Sequence, residues 1–133
     1  METRDPALLS MRGGAIGSTV NASPDEVFQN QTIRPILRLQ NDLLIEAFKN
    51  YVEKYKNDFY TYSVEKKLSY IDNAVHKDIK FRNSLKGMVI ALFTIEEYQR
   101  YIRNSSNLNK RMMSMVIERL QSQVQLFELH QAS

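Results

Sequence analysis

Residues 78–93 read DIKFRNSLKGMVIALF. Lys80, Arg82, Asn83 and Lys86 make the first half polar and basic, whereas positions 88–93 carry no polar side chain at all. A helix that is apolar on every side has to be enclosed by other helices. Gly87 stands at the junction. Inside a helix it costs about 1 kcal/mol relative to Ala, which suggests the close approach of a second backbone. The segment predicts the central helix of a small all-α domain, and the sequence on either side supplies helices to pack on it.

Upstream, residues 33–57 give the clearest amphipathic pattern. Ile36, Leu37, Leu43, Leu44, Ala47, Phe48, Tyr51, Val52 and Tyr55 follow the three-four spacing of one helix face, with Gln40 as a polar break. Arg38, Asp42, Glu46, Lys49 and Glu53 fall on the other face. Ser23, Pro24 and Glu26 start a short helix to about residue 31, and Thr32 and Pro35 open the next. The aromatic run 59–62 predicts a loop over the core edge. Ser63 caps a helix over 64–75, with Leu68, Ile71, Ala74 and Val75 inward, that runs on through a kink into the central helix. Downstream, Thr94 and Glu97 form a capping box for a helix that holds Ile95, Tyr98, Tyr101 and Ile102. A last helix opens at Ser106 or Asn107 and reaches about His130, with Leu108, Met112, Met115, Val116, Leu120, Val124 and Phe127 as its stripe. Residues 1–22 hold three of the four glycines and no sustained period, the pattern of a flexible tail. The expected organisation is a single compact bundle of about five helices over residues 23–133, preceded by that tail.

The 133 residues, 43% of them apolar, are enough for one buried core. The chain has no cysteine, so disulfides, thiolate nucleophiles and cysteine zinc sites are excluded. There is no signal pattern, and the longest apolar run, 88–93, is far short of the roughly 20 residues of a membrane span. A cytoplasmic protein is expected. Asp72 and His76 lie one helical turn apart, but a metal centre needs three or four ligands and no others accompany them. The other histidine, His130, lies near the chain end. Glu96 and Glu97 point about 100° apart on a helix and suit the positive end of its dipole better than acid–base work. The Gly13-Gly14-Ala15-Ile16-Gly17 string lacks the Lys-Ser/Thr pair of a phosphate loop. No catalytic residue, metal ligand set or cofactor motif emerges.

Charge is the remaining signal. The net +3 is uneven: residues 1–75 carry nine lysines and arginines against ten acids, residues 76–133 nine against five. Arg82 and Lys86 are like charges one turn apart, which is unfavourable without an anionic neighbour. Residues 98–117 contain no acid and carry Arg100, Arg103, Lys110 and Arg111, with Asn104, Ser105, Ser106, Asn107 and Asn109 around a helix start. Such a start suits phosphate. Lys110 and Arg111 oppose the dipole of that helix, a conflict that a bound anion or a neighbouring acid would resolve. The candidate anion-binding residues are therefore Arg82, Asn83, Lys86, Arg100, Arg103, Asn107, Lys110 and Arg111, and the expected partner is RNA or a ribonucleoprotein. The alternative is a protein–protein adaptor or homodimer docking through the adaptable Met112, Met113 and Met115. The aromatics Tyr51, Tyr55, Phe59, Tyr60 and Tyr62, interleaved with Lys49, Lys54 and Lys56, have the composition of a base-stacking platform, yet at helical spacing such a stripe is more often core.

Three segments carry a family resemblance: Thr32-Ile33-Arg34-Pro35; KFRNSLKGM over residues 80–88; and Asn104-Ser105-Ser106 followed by Leu108-Asn109-Lys110-Arg111-Met112-Met113. Over residues 26–127 the chain resembles a family of short, uncharacterised bacterial proteins whose members often carry the label glyoxalase. That label implies a small metal-dependent lyase of the vicinal-oxygen-chelate type, with βαβββ modules and His, Glu and Gln ligands on strands. This sequence has no strand series and its two histidines lie outside any strand pattern, so no catalytic residue is carried over from the label.

Overall fold

Among residues 3–55 and 58–128, which the computed structural model describes, the chain is helical and has no strand. The helices are α1 (Arg4–Arg12), α2 (Pro24–Phe28), α3 (Arg34–Lys54), α4 (Val64–Lys77), α5 (Ile79–Ile90), α6 (Ile95–Ile102) and α7 (Ser105–Gln121). The all-α bundle expected from the sequence is found, and the β-modules implied by the glyoxalase label are not present in the described residues. Residues 56 and 57, at the expected end of α3, and His130 lie outside them. No helix described is long and apolar enough to cross a membrane.

Several helix starts follow directly from side-chain chemistry. Ser23 Oγ accepts from the Glu26 N–H and Ser63 Oγ from the Lys66 N–H. Thr94 and Glu97 close a reciprocal capping box at α6. Each such cap contributes about 1 kcal/mol by satisfying amides that a helix leaves unpaired. Asp78 does this at a break: its extended backbone ends α4, and its Oδ1 accepts from the Phe81 N–H to start α5. The chain is therefore interrupted between α4 and α5 instead of running on.

Pro35 does not open a separate helix. Residues 24–54 stay helical, with a π-turn at Gln29–Ile33 joining α2 to α3. Proline lacks the N–H that would face the carbonyl four residues back. That carbonyl belongs to Gln31, and it accepts instead from Arg12 Nη2 at 3.1 Å. The π-turn thus sits where α1 meets the bundle.

The core centres on Phe48 of α3, which is fully buried. Its ring packs against Phe59, Tyr70, Phe81 and Phe127, from four other segments of the chain. α7 contributes Leu108, Met112, Met113, Met115, Val116, Ile117 and Leu120. It is shorter than its stripe predicts. It ends at Gln121, and a 3-10 turn at Val124–Leu126 returns Phe127 to the core, where the buried Lys67 donates to the Phe127 carbonyl at 2.9 Å. α5 packs on α3, α4 and α7, yet only Phe81, Leu85 and Val89 are buried. Met88, Ile90 and Leu92 are half-buried and Gly87 is exposed. A β-carbon on Gly87 would meet nothing within 4 Å, so no second backbone approaches there. On α3, Leu43 turns outward at 52% exposure while Ile45 takes the inner place.

The N-terminal segment corrects the tail expectation. Residues 4–12 form α1, with Leu8 and Arg12 buried, and Gly13 ends it in the left-handed region at φ 74°. A β-carbon on Gly13 would lie 2.6 Å from Arg38 Nη2. The position suits glycine on both counts.

Candidate functional site

The most highly connected polar cluster lies where α1 docks. Arg12 donates through Nη1 to Glu97 Oε1 at 2.6 Å and through Nη2 to Glu97 Oε2 at 2.9 Å. Glu97 also accepts from the Thr32 hydroxyl at 2.6 Å and the Thr94 N–H at 2.8 Å. Burial alone would raise the Glu97 pKa, but the hydrogen bonds from Arg12, Thr32 and Thr94, with the Arg12 charge, bring it below the ordinary glutamate value. The same helix covers both ends of the α5–α6 corner. Arg4 donates to the carbonyls of Ala91 and Phe93, Arg12 to that of Leu92, and Asp5 accepts from the Ile95 N–H. Cations at a helix C-terminus and an anion at an N-terminus match the helix dipoles. A carboxylate with four donors is held too firmly to act as a general base, so the arrangement is a joint. Arg12 Nε is its one buried side-chain atom without a partner among the described residues.

The candidates of α6 and α7 other than Lys110 have intramolecular partners. Arg100 lies over the Phe28 ring, 5.6 Å from its centroid. Arg103 Nε donates to the Gln99 carbonyl. Arg111 donates to Gln29 Oε1 at 3.1 Å and lies 3.8 Å from Asp25. Asp25 also accepts from Asn104 Nδ2 at 2.9 Å, and Asn107 donates to Asn104. The conflict at the start of α7 is therefore met by a neighbouring acid, Asp25 of α2. Lys110 is exposed, with no side-chain partner among the described residues.

The candidates of α5 differ. Arg82, Asn83 and Lys86 make no side-chain hydrogen bond or ion pair among the described residues. Arg82 and Lys86 are half-buried and Asn83 is exposed. Ahead of them Asp78 is occupied. Its Oδ2 accepts from the Tyr51 and Tyr55 hydroxyls at 3.1 and 3.2 Å, and the Phe81 N–H is the main reason its pKa falls below the ordinary aspartate value. Nothing described links the α5 group to the α6–α7 group through a hydrogen bond or a shared pocket.

A third basic group escapes sequence reasoning. Arg34 and Arg38 of α3 stand near Arg119 of α7. Burial, and then the charges of Arg34 and Arg38, lower the Arg119 pKa below its ordinary value. None of the three forms an ion pair with a carboxylate among the described residues. Arg34 and Arg119 line a groove of about 500 Å³ between the helices. Arg34 and Arg38 are one turn apart in sequence, but their meeting with Arg119 depends on how α3 and α7 pack.

Two other candidates resolve simply. Met112, Met113 and Met115 are all buried and fill the core, so they form no exposed Met-rich face; only an edge of Met115 reaches the groove between α3 and α7. His76 pairs with Asp72 at 3.1 Å on an exposed helix turn, and no group of three metal-ligating side chains exists among the described residues. The chain matches no family model, no curated protein and no solved structure.

Proposed function

We propose that this chain is a non-enzymatic, cytoplasmic helical module that binds an anionic macromolecule, RNA or a ribonucleoprotein, through the basic face of α5. One observation supports this reading above others: the side chains of Arg82, Asn83 and Lys86 have no partners among the described residues, whereas those of Arg100, Arg103, Asn107 and Arg111 do. Arg82 and Lys86 would meet phosphates and Asn83 would orient the backbone, contacts that position a nucleic acid without reading its sequence. Lys110 adds a cation with no side-chain partner among the described residues; Arg111 ties α7 to Gln29 and Asp25, Arg100 lies over Phe28 of α2, and Arg103 and Asn107 bond locally to Gln99 and Asn104.

Anisotropy with a labelled single-stranded RNA and with duplex DNA, at low and moderate salt, tests the proposal. The expected result is binding whose logarithm falls with log salt by about 0.7 to 0.9 for each phosphate neutralised. Arg82→Glu with Lys86→Glu should abolish it, and Arg103→Glu should weaken it far less. Binding that survives the α5 double reversal would rule this surface out. Absence of binding at low salt would shift the reading to a protein partner.

A further inference from the structure

We propose that the groove between α3 and α7 is a binding site for a small phosphorylated molecule, gripped by Arg34 and Arg119. The site goes beyond the α5 surface and shares no residue with it. Its floor is Leu37 and Met115, both nearly fully buried, and its walls include Ser122 and Gln123. A volume of about 500 Å³ accommodates a phosphate carrying a small organic body over that apolar floor.

The donors are fixed and open. A guanidinium has five N–H donors in a rigid fork that matches a phosphate group. Arg34 uses Nε on Asn30 at 2.9 Å, and Arg119 uses Nη1 on Asn41 at 3.4 Å; no other side-chain bond occupies either guanidinium among the described residues. Asn41 and Gln123 pair reciprocally through their amides at 2.9 and 2.6 Å, and Gln123 also donates to the Arg119 carbonyl, which braces that wall. Glu118, the acid on the groove wall, forms no ion pair with either arginine. Arg38 adds a third positive charge, with its Nη2 on the carbonyls of Arg12 and Gly14. Arg34 and Arg119 on the groove form no ion pair with a carboxylate among the described residues, and one bound phosphate would use the open donors of both.

The test follows the arginine Nε–H signals of the full chain by NMR at constant ionic strength, with inorganic phosphate, phenyl phosphate and phenol as probes. Arg34 and Arg119 should shift and saturate with phenyl phosphate at lower concentration than with inorganic phosphate, because the ring covers Leu37 and Met115. Phenol should leave them unmoved. Arg119→Gln and Arg34→Gln should each weaken phenyl phosphate at least tenfold, and Arg82→Gln should not. The two groove variants are independent, so a folding failure in one leaves the other as the test. Shifts that never saturate, or an unchanged affinity in either folded groove variant, would overturn the site. Displacement of phenyl phosphate by RNA would overturn its assignment to a small molecule, whereas RNA binding on α5 without displacement would leave both readings standing.

Discussion

Arg4 and Arg12 on one side, and Arg34, Arg38 and Arg119 on the other, are adjacent arginine groups in opposite chemical situations. Arg38 donates to the Arg12 carbonyl, so the groups touch. Arg12 is almost wholly buried, with a bidentate carboxylate and two carbonyls as acceptors, and Arg4 holds two more carbonyls. Arg34 and Arg119 each hold one side-chain amide oxygen and face a groove. The first group is consumed in joining α1 to the α5–α6 corner. The second is left with unused donors. Positive charge by itself therefore does not separate these groups; unused donor capacity does, and the proposed sites rest on it. The same distinction separates Arg111, tied to Gln29 and Asp25, from Arg82 and Lys86 on α5.

The largest effect should come from breaking the saturated group. Glu97→Ala leaves Arg12 buried without its counter-ion, and urea denaturation should show a loss of about 3–5 kcal/mol. A loss below about 1 kcal/mol would mean that the pair behaves like a surface salt bridge. The joint also predicts an acid dependence. Folded Glu97 has a pKa below its ordinary value of 4.5, so the unfolded chain takes up the proton first as pH falls. The stabilisation is complete above pH 4.5 and is lost as pH drops through the folded value. Urea midpoints between pH 6 and 3 should fall steeply for the natural chain and less so for Glu97→Gln.

Smaller changes sharpen the contrast. Thr94→Ala removes the α6 cap and should cost about 1 kcal/mol. Gly87→Ala should stabilise by about 0.5–1 kcal/mol, because the exposed position has room for a methyl group and the unfolded chain loses freedom. Destabilisation there, in the same urea assay, would point to an unseen neighbour on α5. Arg119→Met should be neutral or raise stability by about 0.2–0.5 kcal/mol, through relief of like-charge repulsion. A marked loss would show that Arg119, like Arg12, is part of the framework.

The sequence made legible whatever depends on local chemistry. Ser23, Ser63 and Thr94 cap as their spacing predicts, and the three-four patterns of α3 and α7 find the core, with Leu43 and Tyr55 as misplaced positions. α1 is not legible in the sequence, for a physical reason. Its interface rests on Arg4, Asp5 and Arg12 bonding to main-chain groups and one carboxylate, so an apolar period is a poor guide to it. The sequence overstates the enclosure of α5 because six consecutive apolar residues cover its end and the turn into α6, where Ala91 and Leu92 lie outside the helix proper. At the candidate site, the basic residues were readable but their partners were not. Asp25 precedes Arg111 by 86 positions, and Arg119 follows Arg34 by 85, so both meetings depend on packing.

The most direct measurement is an RNA titration monitored through all arginine Nε–H signals at once. If unused donors mark the binding face, Arg82 shifts early and saturates, while Arg12 and Arg111 stay in place. If Arg111 shifts and Arg82 does not, cations already bonded within the fold are the ones that bind, and the distinction between tied and open arginines fails.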